Sequence, residues 1–277
     1  PEIEVVKRSL FKKINKAKII DIKVFNKSLR YKIDHKFSKN LINEKILRIS
    51  RRSKYLIFHL KKRVLLAHMG MSGKLLLMKK NNSTLIKTSF YYNLNIIKKH
   101  NHIYFKLNNG LILIYNDIRR FGFFKLYNTK NINKIIFIKK LGIEPLSQKF
   151  NLSYFKKFTY NKSRSIKNLL MDQTFVSGLG NIYVNEALFM SCIKPTRLSN
   201  TLNEKEIFNL ILSIKKILKL SISKGGSSIK DFKNVLGKSG NFQQFFHVYG
   251  HENKNCSRIS CTGKIQKIII SNRSSFI

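Results

Sequence analysis

Acidic side chains are scarce in this sequence. Only 13 Asp and Glu stand against 55 Lys and Arg, a formal charge of +42 over 277 residues. Solubility needs far less, and such a chain calls for a polyanionic counterpart, nucleic acid first. A/T-rich codon usage explains part of the lysine, as it does the abundant Ile, Asn and Phe. It does not explain the arginine pairs Arg51-Arg52 and Arg119-Arg120. Cysteine is scarce too: three thiols exclude a disulfide framework and point to a reducing compartment. No run of eighteen apolar residues occurs, so no transmembrane helix is expected. The opening Pro1-Glu2-Ile3-Glu4 has no signal-peptide apolar region. The expected location is the cytoplasm. Prolines stand only at 1, 145 and 195.

What is present suffices for a core. Hydrophobic residues make up 43%, and the length suits one large domain or two modest ones. Ile3, Val6, Leu10 and Ile14 fall on one helical stripe, with Lys7, Arg8, Lys12 and Lys13 largely off it. From Ala17 to Tyr115 the pattern shortens toward period two. Runs at 17–25, 46–49, 54–60, 64–68, 74–78 and 103–115 read as strands, and Asn109-Gly110 is a hairpin signal. After about Leu126 the pattern turns helical, with helices expected over 132–141, 151–158 and 164–170. Asn203 with Glu206 forms a capping-box pattern ahead of the stripe Ile207, Leu210, Ile211, Ile214, Ile217, Leu218. Gly225-Gly226 ends that helix, and Lys238-Ser239-Gly240 lies in a polar loop. The tail 248–277 reads as β-like.

The stretch from Asp172 to Phe189 is the pivot. Gly178 and Gly180 mark a tight turn, and Asn181 precedes the apolar run Ile182, Val184, Ala187, Leu188. An asparagine there either caps the helix or aims its amide at a phosphate beside the free N–H groups of a helix start.

The order of these parts, with several motifs, resembles the bacterial formamidopyrimidine-DNA glycosylase family and its endonuclease VIII relatives. The motifs are PEIEVVKRSL (1–10), RRSKYLIF (51–58), HMGMSGKL (68–75), KKHNH (98–102), YNDIRRFG (115–122), LGIEPL (141–146), DQTFVSGLGNIYVNEALF (172–189), KGGSSIKDF (224–232), VYGHENKNC (248–256) and RSSF (273–276). The resemblance spans nearly the whole chain. It implies an α+β fold: a helix plus β-sandwich over 1–128, a helix–two-turn–helix domain over 129–240, and a zinc-finger-like hairpin over 241–277, apparently truncated. The implied activity is excision of oxidised purines from double-stranded DNA by a monomer, followed by β,δ-elimination through a proline Schiff base. A pyrimidine-preferring relative and a lesion-binding protein without catalysis are the alternatives.

The resemblance also implies residue roles. Pro1 is the nucleophile, Glu2 handles protons, and Lys54 and Arg273 serve the lesion phosphate and proton transfer. A neutral secondary amine can attack a sugar C1′, since α-amines titrate near pH 7.7–8. Register leaves two readings. The family begins with two Pro-Glu pairs, and the residues after Pro1-Glu2 match those after the second pair. Either a few residues precede Pro1 or Pro1 itself is the nucleophile. Met71, Arg119 and Phe121 match the trio that fills the gap left by an everted base. His100, Arg119, Lys162, Lys167 and Asn181 match DNA-backbone contacts, and Glu186 an acid near the lesion pocket. The residue after Lys167 is Asn168 where the family has proline. Cys256 and Cys261 match the first half of a four-cysteine Zn²⁺ site, with no second pair in the sequence.

Overall fold

Residues 2–14 form a helix because their apolar positions recur on one side and their charges suit the helix dipole. In the computed structural model α1 (Glu2–Ile14) buries Val6, Leu10 and Ile14, with Glu2 and Glu4 in its first turn and Lys12 and Lys13 in its last. The structure describes residues 1–79, 85–86, 97–130, 135–160, 162–227 and 241–277, with backbone alone at 85, 86 and 241. The Lys238–Gly240 loop and the start of the helix expected over 132–141 lie outside these. The chain divides into two compact units, Pro1–Lys139 with Gly225–Asn241, and Lys140–Lys224 with Phe242–Ile277.

The first unit is a two-sheet sandwich. Its strands are β1 (Ile19–Val24), β2 (Ile46–Arg52), β3 (Tyr55–Leu60), β4 (Arg63–His68), β5 (Lys74–Lys79), β6 (Leu85–Ile86), β7 (Asn101–Leu107), β8 (Leu111–Asn116) and β9 (Phe123–Asn128). One sheet runs β1-β7-β8-β5-β6 and the other β2-β3-β4-β9, with antiparallel pairing throughout. Ile22, Leu77, Phe105 and Leu113 from the first share a core with Ile49, Phe58, Leu65 and Phe124 from the second. Each such side chain contributes roughly 1.5–3 kcal/mol of burial. The short helix α2 (Phe37–Leu41) buries Phe37 and Leu41 in the same core. The Asn109-Gly110 turn falls where the sequence places it, between β7 and β8, with Gly110 at φ 76°.

Three elements differ from expectation. β9 was not anticipated, although Phe124 points inward and Lys125 outward; its pairing with β4 overrides the helical pattern that follows. Of the helix expected over 132–141, the described residues 135–141 carry α3 (Ile136–Lys139), whose residues are not buried. Within 248–277 only the last strands form, because turns held by local backbone bonds occupy the preceding residues.

The second unit contains α4 (Leu152–Thr159), α5 (Ile166–Met171), α6 (Asn181–Met190), α7 (Glu204–Ser223) and a hairpin of β10 (Lys267–Ile270) and β11 (Arg273–Phe276). α6 packs against α5, α7 and β11. Asp172 and Gln173 order the link from α5 to α6. Asp172 Oδ1 accepts from the Thr174 amide and hydroxyl, and Gln173 bonds Met171 O, Leu179 O and the Gly178 amide. The α7 capping box forms as the sequence predicts: Asn203 accepts from the Glu206 amide at 2.9 Å, and Glu206 accepts from the Asn203 amide at 2.8 Å. Replacing Asn203 with Ala should cost the fold about 1 kcal/mol, read as a lower urea midpoint at unchanged slope.

Candidate nucleic-acid interface and active site

Seven of the expected residues, Pro1, Glu2, Lys54, Met71, His100, Arg119 and Phe121, lie in the first unit. Most are carried by the loops at one end of the four-stranded sheet. The Ser53-Lys54 turn joins β2 to β3, and Tyr55 pairs with His68 at the end of β4. His68 in turn pairs with Phe123 at the start of β9, bringing the segments 69–73 and 117–122 together.

A buried carboxylate organises those two segments. Asp117 Oδ1 accepts the Ser72 hydroxyl at 2.5 Å and the Arg119 amide at 3.3 Å, while Oδ2 accepts the Tyr115 hydroxyl at 2.7 Å and the Gly122 amide at 2.9 Å. Its backbone reaches further. The Asp117 amide donates to His100 O, and its carbonyl accepts from His102 Nε2. One residue therefore fixes the Met71 loop, the Arg119–Phe121 loop and the His100 segment. The loops touch backbone to backbone: a Cβ on Gly70 would lie 2.6 Å from the Phe121 carbonyl carbon, and Gly70 sits at φ 62°. On this base Met71 and Phe121 are 48% and 45% exposed, too open for core residues, and the Arg119 guanidinium lies 4.6 Å from the Phe121 ring centre. His100 stands in a short 3₁₀ turn (Lys98–His100).

Near the start of α1, the Pro1 nitrogen lies 3.7 Å from Glu2 Oε2. Glu2 Oε1 accepts the Ser227 hydroxyl at 2.9 Å and its amide at 3.2 Å. Burial pushes the Pro1 amine below the usual α-amino value; Glu2 opposes that shift, and Arg51 and Lys54 add to it. Lys54 also faces His68. Burial, with the Lys54 and Arg30 charges, takes His68 down to about 4. The Gly70 amide donates to His68 Nδ1 at 3.0 Å, so the neutral ring carries its proton on Nε2 as a donor. Sequence reading passed over His68, Asp117, Ser72 and Ser227. The signal for Asp117 was its position as a lone acid beside an arginine pair in a chain nearly devoid of acids.

The second unit holds Lys162, Lys167, Asn181, Glu186, Cys256, Cys261 and Arg273. Lys162 is exposed, its ammonium 3.7 Å from the Phe158 ring centre. Arg273 is exposed at the tip of the β10–β11 hairpin, where Ser271 and Asn272 both take positive φ, the geometry of a tight two-residue turn. Below the tip, the Ser274 carbonyl accepts from Lys167 Nζ at 2.6 Å, Asn181 Nδ2 at 2.9 Å and Asn185 Nδ2 at 3.4 Å.

Two expectations, those for Lys167 and Glu186, are corrected here. Lys167 is wholly buried and gives its ammonium to Ser274 and Ser275, so it faces no solvent from which to grip phosphate. Burial, with Arg273 nearby, lowers its pKa to about 8. Asn181 is not the helix cap; Gly180 holds that place, and Asn181 is the first residue of α6. Glu186 lines no open pocket: fully buried, it accepts the amides of His247, Val248 and Tyr249 at 2.8–3.0 Å. Cys256 and Cys261 are neighbours. A backbone bond from Gly263, then one from Cys256, lowers the Cys261 thiol. Among the described residues no third Cys, His, Asp or Glu joins them, so this donor set falls short of a tetrahedral zinc site.

Known proteins match along the whole chain. Residues 1–124 match the formamidopyrimidine-DNA glycosylase N-terminal domain, and residues 141–233 its H2TH domain. The chain is 40% identical over 287 residues to the formamidopyrimidine-DNA glycosylase of Bartonella tribocorum, covering 100% of this chain and 96% of that protein. It is 38% identical to that of Rickettsia felis, covering 100% and 95%. Among solved structures it resembles Lactococcus lactis Fpg in complex with Fapy-dG-containing DNA, at TM-score 0.84 and 35% identity over 100% of this chain and 96% of that one. A complex of the same protein with abasic-site DNA matches equally well, at TM-score 0.84.

Two outcomes follow for the site. Asp117→Ala leaves several buried donors unmet and should destabilise the protein by at least about 3 kcal/mol in denaturant unfolding. His68 should titrate near pH 4 in an NMR experiment. Because the unfolded imidazole takes its proton near 6.5, stability is complete above about pH 6.5 and falls as pH drops toward about 4.

Proposed function

The chain belongs to the formamidopyrimidine-DNA glycosylase family, and we propose that it removes oxidised purines, 8-oxoguanine and formamidopyrimidines, from duplex DNA and then cuts the strand. The observation that carries this reading is the exposed trio Met71, Arg119 and Phe121 on a base fixed by a buried carboxylate. An enzyme that works on a base must take it out of the stack, at a cost of a few kcal/mol. An apolar pair offsets lost stacking, and a guanidinium offers hydrogen bonds to the widowed partner base. Ordering these groups in advance avoids the entropy cost of assembling them on DNA.

In the proposed reaction a neutral proline amine attacks C1′ of the everted nucleotide, and the base departs with its bonding pair after protonation. The amine gives up its N–H proton, and the C1′–O4′ bond opens with O4′ taking a proton, which leaves an iminium. The iminium draws electrons, so loss of a C2′ proton expels the 3′ phosphate with its C–O bonding pair, and loss of the C4′ proton then expels the 5′ phosphate in the same way. Burial favours the neutral amine at Pro1, and Glu2, held by Ser227, takes up and returns protons. Lys54 and Arg273 meet the phosphates at the lesion. His100, Lys162, Asn181 and Arg119 contact the backbone further along. No step is assigned to Lys167, Glu186 or a metal.

Borohydride trapping on an 8-oxoguanine duplex tests the reading. A covalent adduct is expected, its mapped peptide identifying which proline amine reacts. A link to an amine upstream of Pro1 would move Pro1-Glu2 to the second Pro-Glu pair. Faster cleavage of thymine glycol than of 8-oxoguanine would favour the pyrimidine-directed relative, and binding without any adduct a lesion-binding protein. Affinity should fall steeply with salt, and Lys162→Ala should reduce the salt slope by about 1.

A further inference from the structure

The turn that presents Lys54 is braced from α1. Glu4 Oε1 accepts Lys7 Nζ at 2.7 Å and Arg8 Nε at 2.9 Å on its own helix, and its Oε2 accepts Arg51 Nε at 3.0 Å. The same guanidinium sends Nη1 to the Ser53 carbonyl at 2.9 Å. Ser53 and Lys54 are the two residues between the paired Arg52 and Tyr55. Ser53 is buried and held at φ 54°, a left-handed conformation unfavourable for a residue with a Cβ. Such a turn keeps its shape only when its surroundings impose it.

The chemistry of the brace is specific. One planar guanidinium meets two acceptors at once, a carboxylate on the helix and a carbonyl in the turn. A lysine ammonium on a flexible stem cannot reproduce that fork. Burial alone would raise the Glu4 carboxyl, but hydrogen bonds from Lys7, Arg51 and Arg8 outweigh it and hold it at about 2. Glu4 is thus ionised wherever the protein is folded and working.

We propose that Glu4 and Arg51 are positioning residues for the reaction, fixing the Ser53-Lys54 turn and thereby the ammonium of Lys54. This rests on the reading of Lys54 as a catalytic group. An error in placing a reacting group by about 1 Å can cost on the order of a hundredfold in rate. A helix-to-turn strut that prevents such an error needs no contact with the lesion.

The test is single-turnover borohydride trapping on an 8-oxoguanine duplex, with duplex affinity and thermal unfolding measured alongside. Arg51→Lys and Glu4→Gln should slow trapping by about tenfold to a hundredfold while duplex affinity stays within about twofold. Arg51→Lys keeps the charge, so a loss there reports geometry. In a Lys54→Ala background Arg51→Lys should cause no further loss, because the residue acts through Lys54. Wild-type trapping by a folded Arg51→Lys protein, or a loss that multiplies with that of Lys54→Ala, would overturn the proposal. Should Arg51→Lys fail to fold, Glu4→Gln decides by the same criteria. Wild-type trapping by Lys54→Ala alone would instead sink the Lys54 reading itself.

Discussion

The Asp117 carboxylate is the interaction on which the loop end of the first unit's four-stranded sheet depends. Buried and acceptor-only, it gathers two hydroxyls and two backbone amides from segments forty-five residues apart in sequence. Loops that end a sheet are ordinarily its loosest parts, since their backbone groups face water. Here their amides turn inward to one anion. That inversion lets large apolar side chains stand open to solvent without collapsing onto the protein.

The same physics recurs in the second unit. Glu186 collects three successive amides and so fixes the segment entering the last part of the chain. In a chain of net charge +42, an acid on the surface would weaken attraction for a polyanion. Several of the few acids are instead turned inward or tied to cations: Asp117 and Glu186 to amides, Glu4 to Arg51, Asp172 to Arg164, Glu206 to Arg197. The basic exterior and the acid-centred interior are two sides of one distribution of charge.

Much of this was legible in the sequence. The amphipathic stripes of α1 and α7, the Asn109-Gly110 turn and the capping box depend on local periodicity and side-chain chemistry, and local rules find them. The trio Met71, Arg119, Phe121 was legible as a motif, and the structure adds why it stays exposed. What escaped depends on partners distant in sequence. β9 exists because β4 is there to pair with it. Lys167 reads as a phosphate-binding lysine until the hairpin, more than a hundred residues later, supplies the carbonyl that takes its ammonium. Glu186 is a helix residue whose burial only the segment around Val248 decides. His68 escaped because a histidine closing a strand carries no local mark of the neutral state that its neighbours impose.

The hairpin that carries Arg273 hangs from a peptide carbonyl, that of Ser274, and every residue type offers the same oxygen there. Position 274 is therefore free to drift in sequence as long as its side chain fits. The burden of heredity falls on the donors, Lys167, Asn181 and Asn185, which sit on two separate helices and have no such freedom. A family descended from this arrangement should show a variable hairpin held by an invariant cradle. The tip could then be exchanged, lengthened or rebuilt in evolution while its mounting stayed the same.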